Sequence, residues 1–311
     1  SSDWLPVRSD IAGVDGVLAT LPAIDSSAVD AFYWRCLVKT ILKVPSCYDG
    51  VIVLHGTDTM AYTAAALSIA LTAAGYSTPV FITGSQRPIR SAAGELDPSS
   101  DGVANIRDAV AACRDAMSLK AERPHGGLSL VQLVFAGSRL HGARGSKMHS
   151  VHDNGFSQRT SAASKPSAGR LDSAGDVTAF SGGVADIVIT PGLDTAQLRH
   201  MLLAPGLQAA VVRFYGSGTM NVAHLSALDV EMPLLAVSAC FEGGVQEASY
   251  NASIIGNVSA PGGIAPQSVL VNGGGMSPEA AVAKCMWVMA DPCRRCDPGY
   301  WLALNVAGEL G

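Results

Sequence analysis

Residues 48–60, Tyr-Asp-Gly-Val-Ile-Val-Leu-His-Gly-Thr-Asp-Thr-Met, constrain the fold more than any other stretch of this chain. Val51, Ile52 and Val53 are β-branched and Leu54 is apolar, so the run predicts a short strand buried on both faces. The alanine-rich run over 60–74 predicts a helix directly after it. A strand feeding a helix through a short polar turn is the unit of an open α/β sheet. In such sheets ligands gather at the strand ends, where helix N–H groups and the positive end of the helix dipole face the crevice. Thr57 and Asp58 stand at such a terminus. The plain alternative is that Thr57, Asp58 or Thr59 only caps the helix.

The rest of the chain repeats this grammar. Strands are expected over 78–83, 128–135, 185–190, 209–214 and 234–238, and helices over 28–42, 103–117, 195–203 and 278–289. That alternation predicts an α/β protein: a larger N-terminal parallel-sheet domain with helices on both faces, and a smaller C-terminal α/β domain. The composition shifts to Ser, Ala and Gly over 157–183. We accordingly expect an N-terminal domain over 1–160 carrying the site, a linker over 161–183 and a C-terminal domain over 184–311. Residues 91–100, rich in Ala, Gly, Ser and Pro, read as a surface loop.

Composition narrows the function classes. With 48% hydrophobic and 15% charged residues and a formal net charge of −5, the chain has ample core and no basic footprint for nucleic acid or an anionic membrane. No apolar run is long enough to span a bilayer and residues 1–10 lack signal-peptide order, which sets the expected location as cytoplasmic. Seven scattered cysteines do not suit a secreted disulfide framework. Cys293-Arg-Arg-Cys296 is a lone C-x-x-C and reads as ordinary thiols. The closest histidines, His149 and His152, are too few for zinc, so no metal is expected. The sequons at Asn251 and Asn257 carry little weight in a chain with no visible secretory route.

His55-Gly-Thr-Asp-Thr-Met60, followed by Ala-Tyr-Thr-Ala, resembles the second signature of the bacterial-type L-asparaginases, nearest the type I branch. Several other segments resemble that family: Asp25-Ser-Ser27, Gly84-Ser-Gln86, Ser100-Asp-Gly102, Arg144-Gly-Ser-Lys147, Tyr215-Gly-Ser-Gly218 and Ala307-Gly-Glu-Leu310. The likeness spans almost the whole chain. It implies hydrolysis of L-asparagine to L-aspartate and ammonia by a threonine-based mechanism, without a cofactor. On this sequence Thr57, Asp58 and Lys147 become the proton-handling set. Ser26 or Ser27, with Gly56 and Ser85, become the substrate-binding set, Ser27 or its neighbour holding the α-carboxylate. Asp58 would meet the substrate ammonium, and Lys147 is expected to pair with a buried Asp58. Ser146 and Arg213 match an effector pocket found in some type I enzymes, although an arginine there would equally hold a carboxylate of the protein itself. The family also implies a homodimer or homotetramer.

Two departures bear on these expectations. The family's nucleophile lies in an N-terminal Thr-Gly-Gly-Thr-Ile motif that does not occur in these 311 residues. Trp4-Leu-Pro-Val7 aligns with the end of the flap that follows it, so the first strand and the nucleophile are expected upstream of Ser1. Trp4 also replaces a common flap tyrosine. At Thr219 many relatives carry an Asn that reaches a neighbouring subunit. Two other readings stay open: a non-catalytic amino-acid-binding homologue retaining Ser27, Thr57 and Asp58, and the amidase subunit of a tRNA-dependent amidotransferase. The latter would carry an extra N-terminal domain and a partner.

Overall fold

A computed structural model describes residues 24–45, 47–89, 95, 97–122, 129–160, 171–246 and 269–310, with backbone alone for 117–122. Trp4, Asn251, Asn257 and residues 161–170 of the expected linker lie outside the described residues. The chain divides into two compact units, Ser1–Gln158 and Arg159–Gly311.

The first unit is built on a four-stranded sheet in the order β1-β2-β3-β4: β1 Val51–Leu54, β2 Val80–Thr83, β3 Val131–Phe135 and β4 Ser138–His141. The first three run parallel and β4 returns antiparallel to β3. Side chains alternate across the sheet with period two. Ile52, Phe81 and Val134 share one face and pack on Ala109, Ala112 and Ala116 of α3, Gly102–Glu122. Helix α2, Met60–Ala73, packs on β2 and β3 and also meets α1, Ala31–Ile41. Lying between two layers, α2 is buried all round from Met60 to Leu71 except at Tyr62, which explains its lack of a polar stripe.

The sequence carries no strand signal for β4. It is reached through a tight turn with Ala136 at φ 47° and Gly137 at φ 74°, the two positive values a primed hairpin turn requires. Alanine does not advertise that conformation. The turn is held from outside, since the Ala136 N–H donates to Asn105 Oδ1 at 2.9 Å and the Gly137 N–H to Asp108 Oδ2 at 3.1 Å. A two-stranded ribbon follows, β5 Gly145–Lys147 paired with β6 Phe156–Gln158. It is anchored by Phe156, whose ring lies 5.0 Å from that of Phe135.

The second unit is a fully parallel four-stranded sheet in the order β10-β9-β8-β7, with β7 Val184–Val188, β8 Ala209–Phe214, β9 Leu234–Ser238 and β10 Leu270–Asn272. Helix α4, Thr195–Leu202, starts with a capping box between Asp194 and Gln197 and buries Leu198 and Leu202 in the core. Helices α5 Pro278–Met289, α6 Pro292–Arg295 and α7 Pro298–Ala303 close the chain, each with proline in its first turn. Residues 171–183, expected in a linker, are instead part of this unit. The buried Arg294 guanidinium stacks on Trp287 at 4.1 Å and donates to the carbonyls of Ala174, Asp176 and Ala179, while the Trp287 indole holds Val177 O at 2.9 Å.

Candidate active site

The chemistry gathers where β1, β2 and β5 end in the first unit. Thr59 occupies the cap position of α2, yet its side chain makes no capping bond. Its hydroxyl donates to Ser26 O at 2.7 Å, so the turn ties outward to the 26–28 helical turn. Gly56 permits this contact, because a Cβ there would lie 2.5 Å from Ser26 Oγ. Ser26 is thus buried against the turn. Ser27 is exposed, with its N–H and hydroxyl both donating to Asp25 Oδ1 at 2.8 and 2.7 Å. That bonding holds the Asp25 carboxyl below its ordinary range.

The three residues assigned to proton handling come together. Lys147 Nζ, at the end of β5, donates to Thr57 Oγ1 at 2.8 Å and to Asp58 Oδ1 at 2.8 Å. Thr57 is buried at 9% exposure and the lysine side chain is 19% exposed. Asp58 is not the buried partner that was expected: its side chain is 64% exposed and open to solvent. The carboxylate therefore keeps access for a cationic ligand.

Gln86, beyond β2, belongs to a motif of the sequence but was assigned no role by it. Its Oε1 lies 3.3 Å from the Thr57 hydroxyl, and its Nε2 donates to the carbonyls of His149 and His152 at 3.3 and 3.1 Å. Asp101 holds the turn from below, accepting the Gln86 N–H at 3.1 and 3.0 Å and the Arg87 N–H at 3.1 Å. Ser85 sits half-buried in the same turn. Gly102 lets it approach, since a Cβ there would come 3.1 Å from Ser85 Cβ.

His55 closes a second chain beneath the turn. Trp34 Nε1 donates to Thr63 Oγ1 at 2.9 Å, Thr63 Oγ1 lies 3.0 Å from His55 Nε2, and His55 Nδ1 lies 2.7 Å from Gly56 O. A carbonyl only accepts, so Nδ1 carries the hydrogen. Burial lowers the His55 pKa, which leaves Nε2 as the acceptor of the Thr63 hydroxyl. His55 is thereby a neutral brace for the turn.

The expected effector residues fall in different units. Ser146 is buried on β5, in register with Ser157 of β6. Arg213 on β8 donates through Nε to Asp186 Oδ1 at 2.8 Å and through Nη2 to Asp186 Oδ2, so a carboxylate of the protein occupies its fork. Thr219 turns back on its own loop, its hydroxyl donating to Tyr215 O at 3.3 Å. Cys293 and Cys296 are exposed thiols, with Cys296 Sγ donating to the Cys293 carbonyl at 3.0 Å. Among the described residues no group of three or more His, Cys, Asp or Glu is placed to hold a metal.

A parallel-sheet unit with a threonine, a lysine and a carboxylate at the strand ends fits a hydrolytic family, and the comparisons agree. The profile of the family described as "Asparaginase, N-terminal" matches residues 3–174, and the chain belongs to the asparaginase family. It is 26% identical over 305 residues to an L-asparaginase of Thermococcus kodakarensis, covering 92% of this chain and 84% of that one. It is 29% identical to L-asparaginase 1 of Escherichia coli, covering 93% and 82%. A glutamyl-tRNA(Gln) amidotransferase subunit of Methanosarcina mazei is 27% identical, over 98% of this chain and 71% of its own. The crystallised T. kodakarensis enzyme shares the fold, with a TM-score of 0.72 at 24% identity over 94% of this chain and 85% of that one. Membership makes this an amidohydrolase-type protein with a two-domain α/β architecture.

Proposed function

We propose that this protein hydrolyses the side-chain amide of free L-asparagine to L-aspartate and ammonia. The observation that carries the reading is the position of Lys147 Nζ, 2.8 Å from both Thr57 Oγ1 and Asp58 Oδ1. A lysine so placed can relay a proton. Once neutral it draws the Thr57 hydrogen, and Thr57 Oγ1 then takes the proton of the attacking hydroxyl or water as the C–O bond forms. As the C–N bond breaks, the proton held by Lys147 returns through the Thr57 hydroxyl to the leaving nitrogen, which departs as ammonia. Asp58 serves twice, fixing Lys147 with one oxygen and offering its exposed carboxylate to the substrate ammonium. Ser26 and Gly56 border the same turn, and Ser85 lies on the next strand end. Resemblance to the type I branch extends the reading to a cytoplasmic homo-oligomer.

The test is ammonia release from asparagine and from glutamine, with Lys147→Met alongside. Turnover of asparagine that falls by about a thousandfold or more in the variant, with folding intact, supports the reading; the scale is that of losing a general acid–base partner within a coupled set. Unchanged turnover in Lys147→Met sinks it. The likeness to an amidotransferase component across nearly this whole chain favours one second reading, an amidase subunit that feeds ammonia to a partner. No release from free asparagine alone, with release restored by a partner protein and charged tRNA, would select that reading.

A further inference from the structure

Spacing alone leaves Cys293 and Cys296 as ordinary thiols, but the fold puts both on the exposed side of α6. The turn is helical through the pair. Cys293 is its second residue, and Cys296, at its end, has φ −68° and ψ −25° with its N–H donating to Pro292 O at 3.0 Å. Residues three apart on such a turn have Cα atoms about 5 Å apart, inside the range of roughly 4.4–6.8 Å that a disulfide spans. The Cys296 sulfur already leans back over the turn, 3.0 Å from Cys293 O. Their Cβ atoms start about 5–6 Å apart, so closure requires the turn to tighten toward the 3₁₀ form, in which residues three apart eclipse. The end of α6 already has that bonding, since the Asp297 N–H donates to Arg294 O at 3.3 Å. The Cys293 thiol donates to the Asp291 carboxylate, a contact it leaves by rotating about its Cα–Cβ bond.

Arg294, between the two cysteines, faces inward. It is fully buried, and its guanidinium donates to Trp287 O at 2.8 Å and to the carbonyls of Ala174, Asp176 and Ala179. Asp291, the cap of α6, holds the same segment by accepting the Asp176 N–H at 2.9 Å. One short turn thus carries a dithiol on its outer side and the clamp for residues 174–179 on its inner side. We infer that Cys293 and Cys296 are a reversible modification site, which closes to an intramolecular disulfide by exchange with a low-molecular-weight disulfide and thereby stiffens the Arg294 clamp. Either cysteine, as its thiolate, attacks one sulfur of the small disulfide, forming a mixed disulfide and expelling one thiolate. The other cysteine loses its proton to solvent, attacks the protein sulfur of the mixed disulfide and expels the second thiolate. Two protein thiols are oxidised, one small disulfide is reduced to two thiols, and the protons released are those the leaving thiolates take up. The second step is intramolecular across a single turn, so it outruns capture of another small disulfide. The inference does not rest on the amidase reading.

The experiment incubates the folded full chain with glutathione disulfide, blocks the remaining thiols, maps the peptides by mass spectrometry and follows amide exchange before and after. The peptide spanning Cys293 and Cys296 becomes lighter by two hydrogens, and dithiothreitol reverses the change. Cys47 and Cys240, exposed with no second cysteine three residues away, can at most carry glutathione. In Cys293→Ser and in Cys296→Ser the surviving cysteine of the pair carries glutathione instead of closing. Oxidation slows exchange of the Asp176 amide by about tenfold, because a short closed loop restricts local opening, and the same treatment of Cys293→Ser does not. The mass readout is made on the unaltered chain, so it decides the matter even should a variant not fold. Glutathione on both Cys293 and Cys296 without closure, closure only in urea, or closure that leaves the Asp176 amide unchanged overturns the inference.

Discussion

Gly84 is the position where a single methyl group should do most damage. A Cβ built there lies 1.9 Å from His55 O and 2.8 Å from Met60 Cε, more than an ångström inside the 3.0 Å that Cβ atoms respect against backbone. The methionine tip can swing away; the carbonyl cannot. His55 is tied to the next strand, its N–H donating to Thr83 O at 2.8 Å, and Asn105 Nδ2 holds Gly84 O at 2.9 Å. Relief therefore breaks a backbone bond worth about 1 kcal/mol and strains a close-packed turn by about 1–3 kcal/mol. Gly84→Ala should lose about 3 kcal/mol in urea unfolding. The displaced segment carries Thr57 and Asp58, and a misplacement of that size costs about a hundredfold in rate. Ammonia release should fall accordingly in the protein that remains folded. Gly192→Ala, with open space around its Cβ, is the neutral control. Gly84→Ala with stability and kcat/KM both near wild type would refute this account of the turn.

Two further outcomes can be read from stability alone. Among the described residues the buried Arg159 finds no hydrogen-bond partner for Nε or Nη1, its Nη2 makes a long bond to Ser238 O at 3.4 Å and its guanidinium lies 5.7 Å from the Phe241 ring, so Arg159→Met should stabilise the protein by about 1–2 kcal/mol in urea; a loss of more than 1 kcal/mol would show the guanidinium to be paired. Acid should weaken the two units in separate windows. Burial lowers the His55 pKa below 6.5, so the unfolded chain binds the proton first and the first unit loses stability as pH falls below that value. In the second unit burial pushes Glu309 up, but the Lys284 charge and bond and the Ala307 N–H outweigh it and hold its pKa below 4.5, so that loss begins only under 4.5. Amide exchange at a series of pH values, read by unit, checks both, and a first unit indifferent between pH 7 and 5 would contradict the His55 assignment.

Much of the scaffold was legible because its signals are local. The β-branched runs at 51–54, 80–83 and 209–214 emerge as strands, and the 278–289 helix starts at its proline, with Ser277 accepting the Ala280 N–H as its cap. What stayed hidden depends on groups that side-chain composition does not display. Residues 171–183 look like a linker because they carry few large apolar side chains, but it is their main-chain carbonyls that dock on Arg294 and Trp287. The Ala136 turn is imposed by Asn105 and Asp108 from another helix. Lys147 drew attention through family likeness; no periodicity or spacing joins it to Thr57. Gln86 was visible in its motif, but its role needs the His149 and His152 carbonyls, which only folding brings within reach.

The meeting of Lys147 with Thr57 and Asp58 is a consequence of the scaffold and not its cause. An ion pair with one partner 64% exposed contributes at most about 1 kcal/mol, too little to hold a lysine from β5 against a turn some ninety residues earlier. The placement comes from elements that bury more. Ser146, next to Lys147, is sealed inside the ribbon, Phe156 packs on Phe135, and Gly142 passes so close to α2 that a Cβ would sit 2.7 Å from Ser68 Oγ. Gln86 and Arg87 then fasten the loop between the ribbon strands. With position set by packing, the ion pair is left weakly coupled to stability. Replacing Lys147 should therefore abolish chemistry while moving the unfolding midpoint little, whereas truncating Phe156, which packs on Phe135, should lower the midpoint by loosening the ribbon.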